Sequence, residues 1–162
     1  MYTHIATRIR TMPHIHEKID FTVEVFIVFK DKVLLRMHDK YKIWLSVGGH
    51  IELDEDPNQA ALREVKEEVG LEVVLATPEK ILNLDTVHHK ELIPPTFLNI
   101  HRINPEHQHI GLVYFATTKS DTVNPEREDD EWRWATKEEL QTMGLLPNIK
   151  MYAERALAIL AR

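Results

Sequence analysis

The sequence predicts a single α/β domain, residues 1–162, in which helices cover both faces of a mixed β-sheet. Two patterns support this fold class. Short β-branched and aromatic segments recur along the chain, and one amphipathic helical segment lies among them while another ends the chain. The length of 162 residues is enough to bury a core. Residues 1–20 show no clear pattern.

The first half of the chain predicts three strands. Phe21–Phe29 and Val33–Met37 are rich in β-branched and apolar residues, and Asp31-Lys32 between them is typical of a hairpin turn. A third strand is predicted at Ile43–Val47, and it leads directly into Gly48-Gly49.

Further strands are predicted after the first helical segment, at Glu72–Ala76, Ile81–Asp85, His109–Thr118 and Trp132–Ala135. The segment from His88 to Gln108 is rich in proline and histidine, and some of it, such as Thr96–Ile100, has strand character. It is therefore predicted to be a long connection. Because long connections are usually functional, we expect it to border the substrate pocket.

Three helices are predicted, at Pro57–Val69, Thr136–Met143 and Pro147–Leu160. Asp56 is a suitable N-cap for the first helix and Gly70 a suitable left-handed C-cap. Its apolar residues at helical spacing are expected to pack inward; they are Ala61, Leu62, Val65 and Val69. Thr136 and Glu139 form a capping-box pattern at the start of the second helix.

Composition limits the function classes. The formal charge of −6 argues against nucleic acid or an anionic membrane as a general partner, and it requires that an anionic substrate be met by metal and local basic residues. There is no cysteine, which excludes disulfides and thiol chemistry. No segment has the length and apolar character of a signal or membrane span, so a cytoplasmic location is expected.

Three glutamates of the first helix lie within about a turn of one another: Glu64, Glu67 and Glu68. Like charges four residues apart cost about 0.2–0.5 kcal/mol in a helix, and Arg63 offsets only part of this. A solvated acidic face is one interpretation. The other is a divalent metal site, because magnesium prefers carboxylate oxygens.

The stretch from Gly49 to Leu71 resembles the Nudix box, the signature of the Nudix hydrolase family. That pattern is glycine, five residues, glutamate, seven residues, Arg-Glu, an aliphatic residue, one residue, Glu-Glu, one residue, glycine and an aliphatic residue. Every specified position is filled, by Gly49, Glu55, Arg63, Glu64, Val65, Glu67, Glu68, Gly70 and Leu71. The resemblance implies the family's α/β/α sandwich and a loop-helix-loop that holds divalent metal against a diphosphate.

The resemblance also implies roles for residues. Glu64 and Glu68 are expected to be the principal ligands of Mg²⁺, with Mn²⁺ as an alternative. Glu67 is expected to bind the ion directly or through water, and the Gly48 carbonyl is the expected backbone ligand. Gly49 lets the backbone approach the metal closely.

Other site residues are less closely specified. Arg63 is expected to brace the loop through Glu55 rather than to contact phosphate. Glu52 either points into the site or is a solvated loop residue. Family members often take a further acidic residue from a downstream loop as catalytic base, and the candidates here are Glu128 and Glu131 in the acidic loop before Trp132.

The substrate-binding candidates are Arg36 and Lys42 for phosphate, and Asn148 for a base. Asn148 follows Pro147, as a similar asparagine does in the oxidised-guanine hydrolases, although a helix-start asparagine explains it more simply. His107 and His109 are alternatives as base or phosphate contact. This His-x-His pair could bind zinc, but no third ligand is evident from the sequence.

The predicted function is a Mg²⁺-dependent pyrophosphohydrolase cleaving a nucleoside diphosphate linked to another group. A nucleoside triphosphate, cleaved to the monophosphate, is the default substrate, and ADP-ribose or a nucleotide sugar is the alternative. A catalytically silent nucleotide-binding module of the same fold is a hypothesis of a different class. The expected partner is a small nucleotide, and a homodimer is left open.

Overall fold

In the computed structural model, which describes residues 16–77 and 85–162, eight strands form one mixed sheet. The strands are β1 (Ile19–Phe29), β2 (Lys32–His38), β3 (Ile43–Leu45), β4 (Val47–His50), β5 (Val73–Leu75), β6 (Phe97–Asn104), β7 (His107–Thr118) and β8 (Trp132–Thr136). Two α-helices accompany them, α1 (Pro57–Val69) and α2 (Pro147–Leu160), with a short 3₁₀ helix at Glu139–Gln141.

The centre of the sheet is the parallel pair of β1 and β7, which are joined from Ile19↔Gln108 to Val28↔Thr117. All other strand pairs are antiparallel: β2 and β4 with β1, β5 and β6 with β7, and β3 and β8 with β2. β1 thus pairs with β4 along its first half and with β2 at its end. This mixed arrangement confirms the predicted sheet.

Side chains alternate between the two faces of β1, and each face has its own core. Val23, Val25 and Ile27 pack with the apolar side of α1, while Phe26 and Val28 pack with α2. One helix therefore covers each face, as the predicted α/β/α sandwich requires. No helix in the two described ranges combines the length and apolar content needed to span a bilayer.

Helix α1 begins and ends where the sequence predicts. The Asp56 side chain accepts a hydrogen bond from the Gln59 amide, and the Gln59 side chain accepts one from the Asp56 amide, which completes a capping box. Gly70 ends the helix with a φ of 67°. The prediction that Leu62 packs inward is wrong, since this residue is 44% exposed. The buried face of the helix instead includes Ala60 and the two glutamates Glu64 and Glu68.

The strands differ from prediction at several boundaries. Ile43–Val47 is two strands rather than one, because the chain leaves β2 after Leu45 and pairs with β1 from Val47. The hairpin turn lies at Lys30-Asp31, one residue earlier than predicted, since Phe29 pairs with Lys32. The strand at Glu72–Ala76 is confirmed in its central part, and the one predicted at Ile81–Asp85 falls almost wholly outside the described residues.

The segment from His88 to Gln108 is a connection only as far as Thr96, so the prediction is wrong for its second half, apart from the strand expected at Thr96–Ile100. Most of its second half is β6, which pairs with β7 from Phe97↔Val113 to Asn104↔His107 through a tight turn. The alternating pattern is weak because β6 lies at an edge and most of its side chains are exposed.

The C-terminal region is predicted more closely. α2 spans Pro147–Leu160 as expected, but the second predicted helix is reduced to the 3₁₀ turn. The capping contacts of Thr136 and Glu139 are nevertheless both present, at 2.9 and 3.3 Å. The capping pattern therefore predicts where the helical turn begins, but it does not predict how long the helix is.

Leu34 and Leu62 differ in burial, so truncating each side chain should change stability by different amounts. Leu34→Ala, at a fully buried position, should lower the free energy of unfolding by about 2–5 kcal/mol, because it leaves a cavity in the core. Leu62→Ala is the matched control and should cost less than about 1 kcal/mol, because the side chain is already 44% exposed. Urea unfolding of both variants measures the difference. Equal losses would contradict the position of Leu62.

Candidate active site

The two glycines of β4 lie directly against α1, the helix that follows this strand in the chain. Gly48 pairs with Glu24 and Gly49 with Val23 of β1. Gly48 has a φ of +155°, and a Cβ there would lie 2.0 Å from the Val23 carbonyl oxygen. A Cβ on Gly49 would lie 2.4 Å from Glu64 Oε1. Gly48 therefore needs to be glycine, and at Gly49 the missing side chain lets a helix carboxylate lie directly against the strand.

Two glutamates of α1 are buried at this strand. Glu64 is 3% exposed and Glu68 is 8% exposed, which is unusual for charged side chains. The Gly48 amide donates a hydrogen bond of 3.0 Å to Glu68 Oε2. Glu67 differs, since 47% of its side chain is exposed. The four-residue spacing of Glu64 and Glu68 thus places two carboxylates on the face of α1 that meets β4.

Arg63 joins the loop before α1 to the helix itself. Its Nε and Nη2 donate to the two carboxylate oxygens of Glu55 at 2.9 and 2.6 Å, and Nη2 also donates to the His50 carbonyl at 2.9 Å. Nη1 donates to Glu64 at 2.8 Å and to Glu67 at 3.1 Å. The hydrogen bonds with Glu55 raise the pKa of Arg63 and lower that of Glu55. The predicted bracing contact between Arg63 and Glu55 is confirmed.

Arg36 of β2 reaches the same face of α1. Its Nη1 lies 3.2 Å from Glu68 Oε1, and its Nη2 lies 3.5 Å from Asp130 Oδ1. The Asp130 side chain is only 2% exposed. Sequence analysis missed Asp130, because one acid in an acidic run has no pattern that shows it to be folded inward. Its neighbours Glu128 and Glu131, the predicted candidates for the base, are both exposed.

The group formed by these contacts, here called the glutamate cluster, carries excess negative charge. Arg36 and Arg63 contact five carboxylates, while Arg127 divides its charge among three aspartates. The five acids are Glu55, Glu64, Glu67, Glu68 and Asp130. Buried charge needs compensation, and hard carboxylate oxygens are the donors that Mg²⁺ and Mn²⁺ prefer. The residues present therefore fit a hard divalent cation.

Three other predicted site residues have exposed side chains. Lys42 lies between β2 and β3 with a φ of 50°. Asn148 is at the start of α2. Glu52 contributes its amide, which donates to Glu55 Oε1 at 2.9 Å. None of the three side chains is drawn into the buried part of the glutamate cluster.

His109 belongs to a different group, on the opposite face of the sheet. It pairs with Asp20 across β7 and β1, and Asp20 Oδ2 lies 3.2 Å from His107 Nε2 and 3.5 Å from His50 Nε2. The His109 ring centroid is 4.8 Å from that of His50 and 5.2 Å from that of His107. Burial, followed by the charges of the neighbouring histidines, lowers the pKa of His109 to about 4. Its imidazole is therefore neutral at pH 7.

No third ligand for His107 and His109 is evident from the sequence, but the structure brings Asp20 close to both. Asp20, His107 and His109 each offer a ligand atom, and these atoms all lie within 4.8 Å of one another. Among the residues that the structure describes, no other group of three meets this spacing, and the glutamates of the cluster instead contact Arg36 or Arg63. Only the parallel pairing of β1 and β7 reveals Asp20, which is distant in sequence.

The chain is similar to known proteins in both sequence and fold. A family model for the NUDIX domain matches residues 20–156. The crystal structure of a NUDIX-family hydrolase from Clostridium perfringens is 44% identical, with a TM-score of 0.78 over 86% of this chain and 97% of that chain. No curated protein sequence matched the chain.

Two solved structures of lower identity share the fold. An Ap4A hydrolase from C. elegans is 17% identical, with a TM-score of 0.65 over 88% of this chain and 99% of that chain. The dihydroneopterin triphosphate pyrophosphohydrolase of E. coli is 16% identical, with a TM-score of 0.65 over 89% of this chain and 100% of that chain. With its complete box and the matching family model, the chain belongs to the Nudix family of hydrolases, which act on pyrophosphate bonds.

Proposed function

We propose that this protein is a Mg²⁺-dependent pyrophosphohydrolase that cleaves a nucleoside diphosphate linked to another group. The observation that carries the proposal is the pair of buried carboxylates, Glu64 and Glu68, set against the two glycines of β4. Such burial is costly for glutamates unless positive charge compensates it. A divalent cation bound to substrate phosphates supplies that charge.

The cation would be held by Glu64, Glu68 and the Gly48 carbonyl, with Glu67 binding directly or through water. When bound, Mg²⁺ neutralises diphosphate charge and lowers the pKa of coordinated water. Arg63 keeps Glu64 and Glu67 in position through its contacts at 2.8 and 3.1 Å. Their position therefore depends on the bracing of Arg63 by Glu55.

Arg36 is the basic residue best suited to a substrate phosphate. It lies beside Glu68, and its Nε makes no hydrogen bond within the described residues. Asp130 pairs with its Nη2 and is a positioning residue in this proposal. Glu128 and Glu131 stay the candidates for the base. They lie on either side of Asp130 in the chain, and Asp130 is buried beside Arg36.

A nucleoside triphosphate, cleaved to the monophosphate, is the substrate we favour. The names of the two low-identity relatives give different phosphoanhydride compounds, Ap4A and dihydroneopterin triphosphate, and at 16–17% identity they support the fold rather than a substrate. A panel of nucleoside triphosphates, ADP-ribose and nucleotide sugars, assayed with and without Mg²⁺, tests the proposal. Turnover of ADP-ribose or a sugar alone would replace the favoured substrate, and no turnover would indicate a silent binding module.

Glu68→Gln should lower kcat by orders of magnitude while leaving the fold nearly intact, because it removes charge from the metal site without changing volume. The measurement is kcat across a Mg²⁺ titration, with circular dichroism as the folding check. Glu72→Gln is the matched control, since Glu72 is 87% exposed and pairs only with Lys66 among the described salt bridges. Near-wild-type kcat for Glu68→Gln at saturating Mg²⁺ would contradict the ligand role.

Added Mg²⁺ should raise the thermal midpoint, because the cation binds the folded site and relieves carboxylate repulsion. At a concentration of about 100 Kd the gain is about 2.7 kcal/mol, or roughly 5–10 °C for a chain of this size. Differential scanning fluorimetry measures the shift, and Glu68→Gln should reduce it. An unchanged midpoint across millimolar Mg²⁺ would argue against a preformed site.

Asp130→Asn should raise KM by about tenfold, equivalent to roughly 1.4 kcal/mol, because Arg36 loses a charged partner that orients it. The value of kcat should change less, since Asp130 is proposed to act through Arg36. Asp129→Asn, whose side chain is 82% exposed, is the control. Equal effects of the two substitutions on KM would show that the buried aspartate does not position Arg36.

A further inference from the structure

A second group of metal-ligating side chains lies on the face of the sheet opposite the glutamate cluster. It consists of Asp20, His107 and His109, called here the histidine cluster, whose ligand atoms lie within 4.8 Å of one another. Asp20 is 1% exposed, His107 is 4% exposed and His109 is partly buried. Two strands supply all three residues, so the backbone that holds them is paired and rigid.

The hydrogen bonding of His107 leaves its second ring nitrogen facing the Asp20 carboxylate. Its Nδ1 lies 3.3 Å from the Glu17 carbonyl, which only accepts, so Nδ1 carries the proton that this contact needs. In a neutral imidazole Nε2 then has a lone pair, and it lies 3.2 Å from the carboxylate oxygen Asp20 Oδ2. Two acceptors at this distance repel unless a cation joins them. A proton shared by the two atoms, or a metal ion, would join them.

The surroundings of the cluster resemble those of metal ligands. Ligating histidines usually donate their other ring N–H to a carbonyl, as His107 does to Glu17, and ligating carboxylates accept supporting bonds. Asp20 Oδ1 accepts such a bond from the His16 amide at 2.8 Å. The Nε2 atom of His109 is buried and makes no hydrogen bond within the described residues, which is costly for a polar atom. A metal ion would satisfy it.

We propose that Asp20, His107 and His109 form a Zn²⁺ site, with water as the fourth ligand. Tetrahedral zinc with bonds of about 2.1 Å separates neighbouring ligand atoms by roughly 3.4 Å. The 3.2 Å between Asp20 and His107 already matches this separation. The ligand atom of His109 lies within 4.8 Å of the other two and would move closer to complete the site.

The donor set selects the ion. Imidazole nitrogen suits zinc and neighbouring transition metals, whereas Mg²⁺ prefers oxygen ligands only. The site joins the beginnings of β1 and β7, the central pair of the sheet, and zinc there stabilises the end of the sheet that α2 does not cover. This inference does not rest on the proposed hydrolysis, because the two sites use different residues.

The test uses the full chain carrying Glu64→Gln and Glu68→Gln, so that zinc at the glutamate cluster is not counted. Competition with a chromophoric zinc chelator should give one Zn²⁺ per chain, and Co²⁺ in its place should give the visible absorption of a tetrahedral N/O site. Asp20→Asn and His109→Gln, each in that background, should weaken Zn²⁺ binding by about tenfold or more. His88→Gln, at an exposed histidine, is the matched control and should bind as the background does.

Nuclear magnetic resonance of the His107 ring gives the second measurement. In the zinc-bound protein, Nδ1 should keep its proton and Nε2 should carry none. Failure to bind one equivalent of zinc, together with two ring N–H protons on His107, would overturn the proposal. The cluster would then be a buried Asp20–His107 ion pair, and the proton would be the cation that joins them.

Discussion

The site depends most on the contacts of Arg63. One guanidinium group joins Glu55 of the loop, the His50 carbonyl of β4 and two carboxylates of α1. Without it the loop between His50 and Asp56 would have few fixed contacts, and the glutamates of α1 would repel one another at helical spacing. A planar group with five donors in a fixed fork can make these contacts together, whereas a lysine ammonium cannot. The arginine thus holds the carboxylates of an acidic helix in one defined arrangement.

The start of α1 is fixed by a second set of contacts. Asn58 accepts a hydrogen bond from the Ile93 amide at 2.8 Å, donates one to the Ile93 carbonyl at 2.9 Å, and donates one to the Tyr114 hydroxyl at 3.2 Å. Lys90 pairs with Asp56 at 3.1 Å. The segment before β6, which the sequence predicts to be part of a long connection, is therefore attached to α1. The segment leads into β6, which pairs with β7. It therefore connects α1 to the centre of the sheet.

Sequence analysis predicts what is local or strongly patterned. The caps of α1, the span of α2, and the central strands follow from residues close together in the chain, and the complete box predicts the family. Leu62 is mispredicted because helical periodicity assigns the inward face to apolar residues. Here a glutamate that pairs with an arginine lies on that face instead, and Leu62 is exposed. Asp130 and Asp20 are missed for another reason. Each becomes important only through a partner on a distant strand, Arg36 or His107, and no local pattern reports such pairing.

Successive residues of the short strand β4 face the two different clusters, because side chains alternate between the faces of a sheet. Gly49 faces Glu64, and the next residue, His50, points to the other face towards Asp20. Oxygen donors gather on one side and imidazole donors on the other. Donor type does not by itself exclude zinc from the carboxylates, because zinc binds most sites more tightly than magnesium does. If both proposed sites bind metal, a histidine cluster with the higher zinc affinity fills first, and limiting zinc then leaves the carboxylates to magnesium.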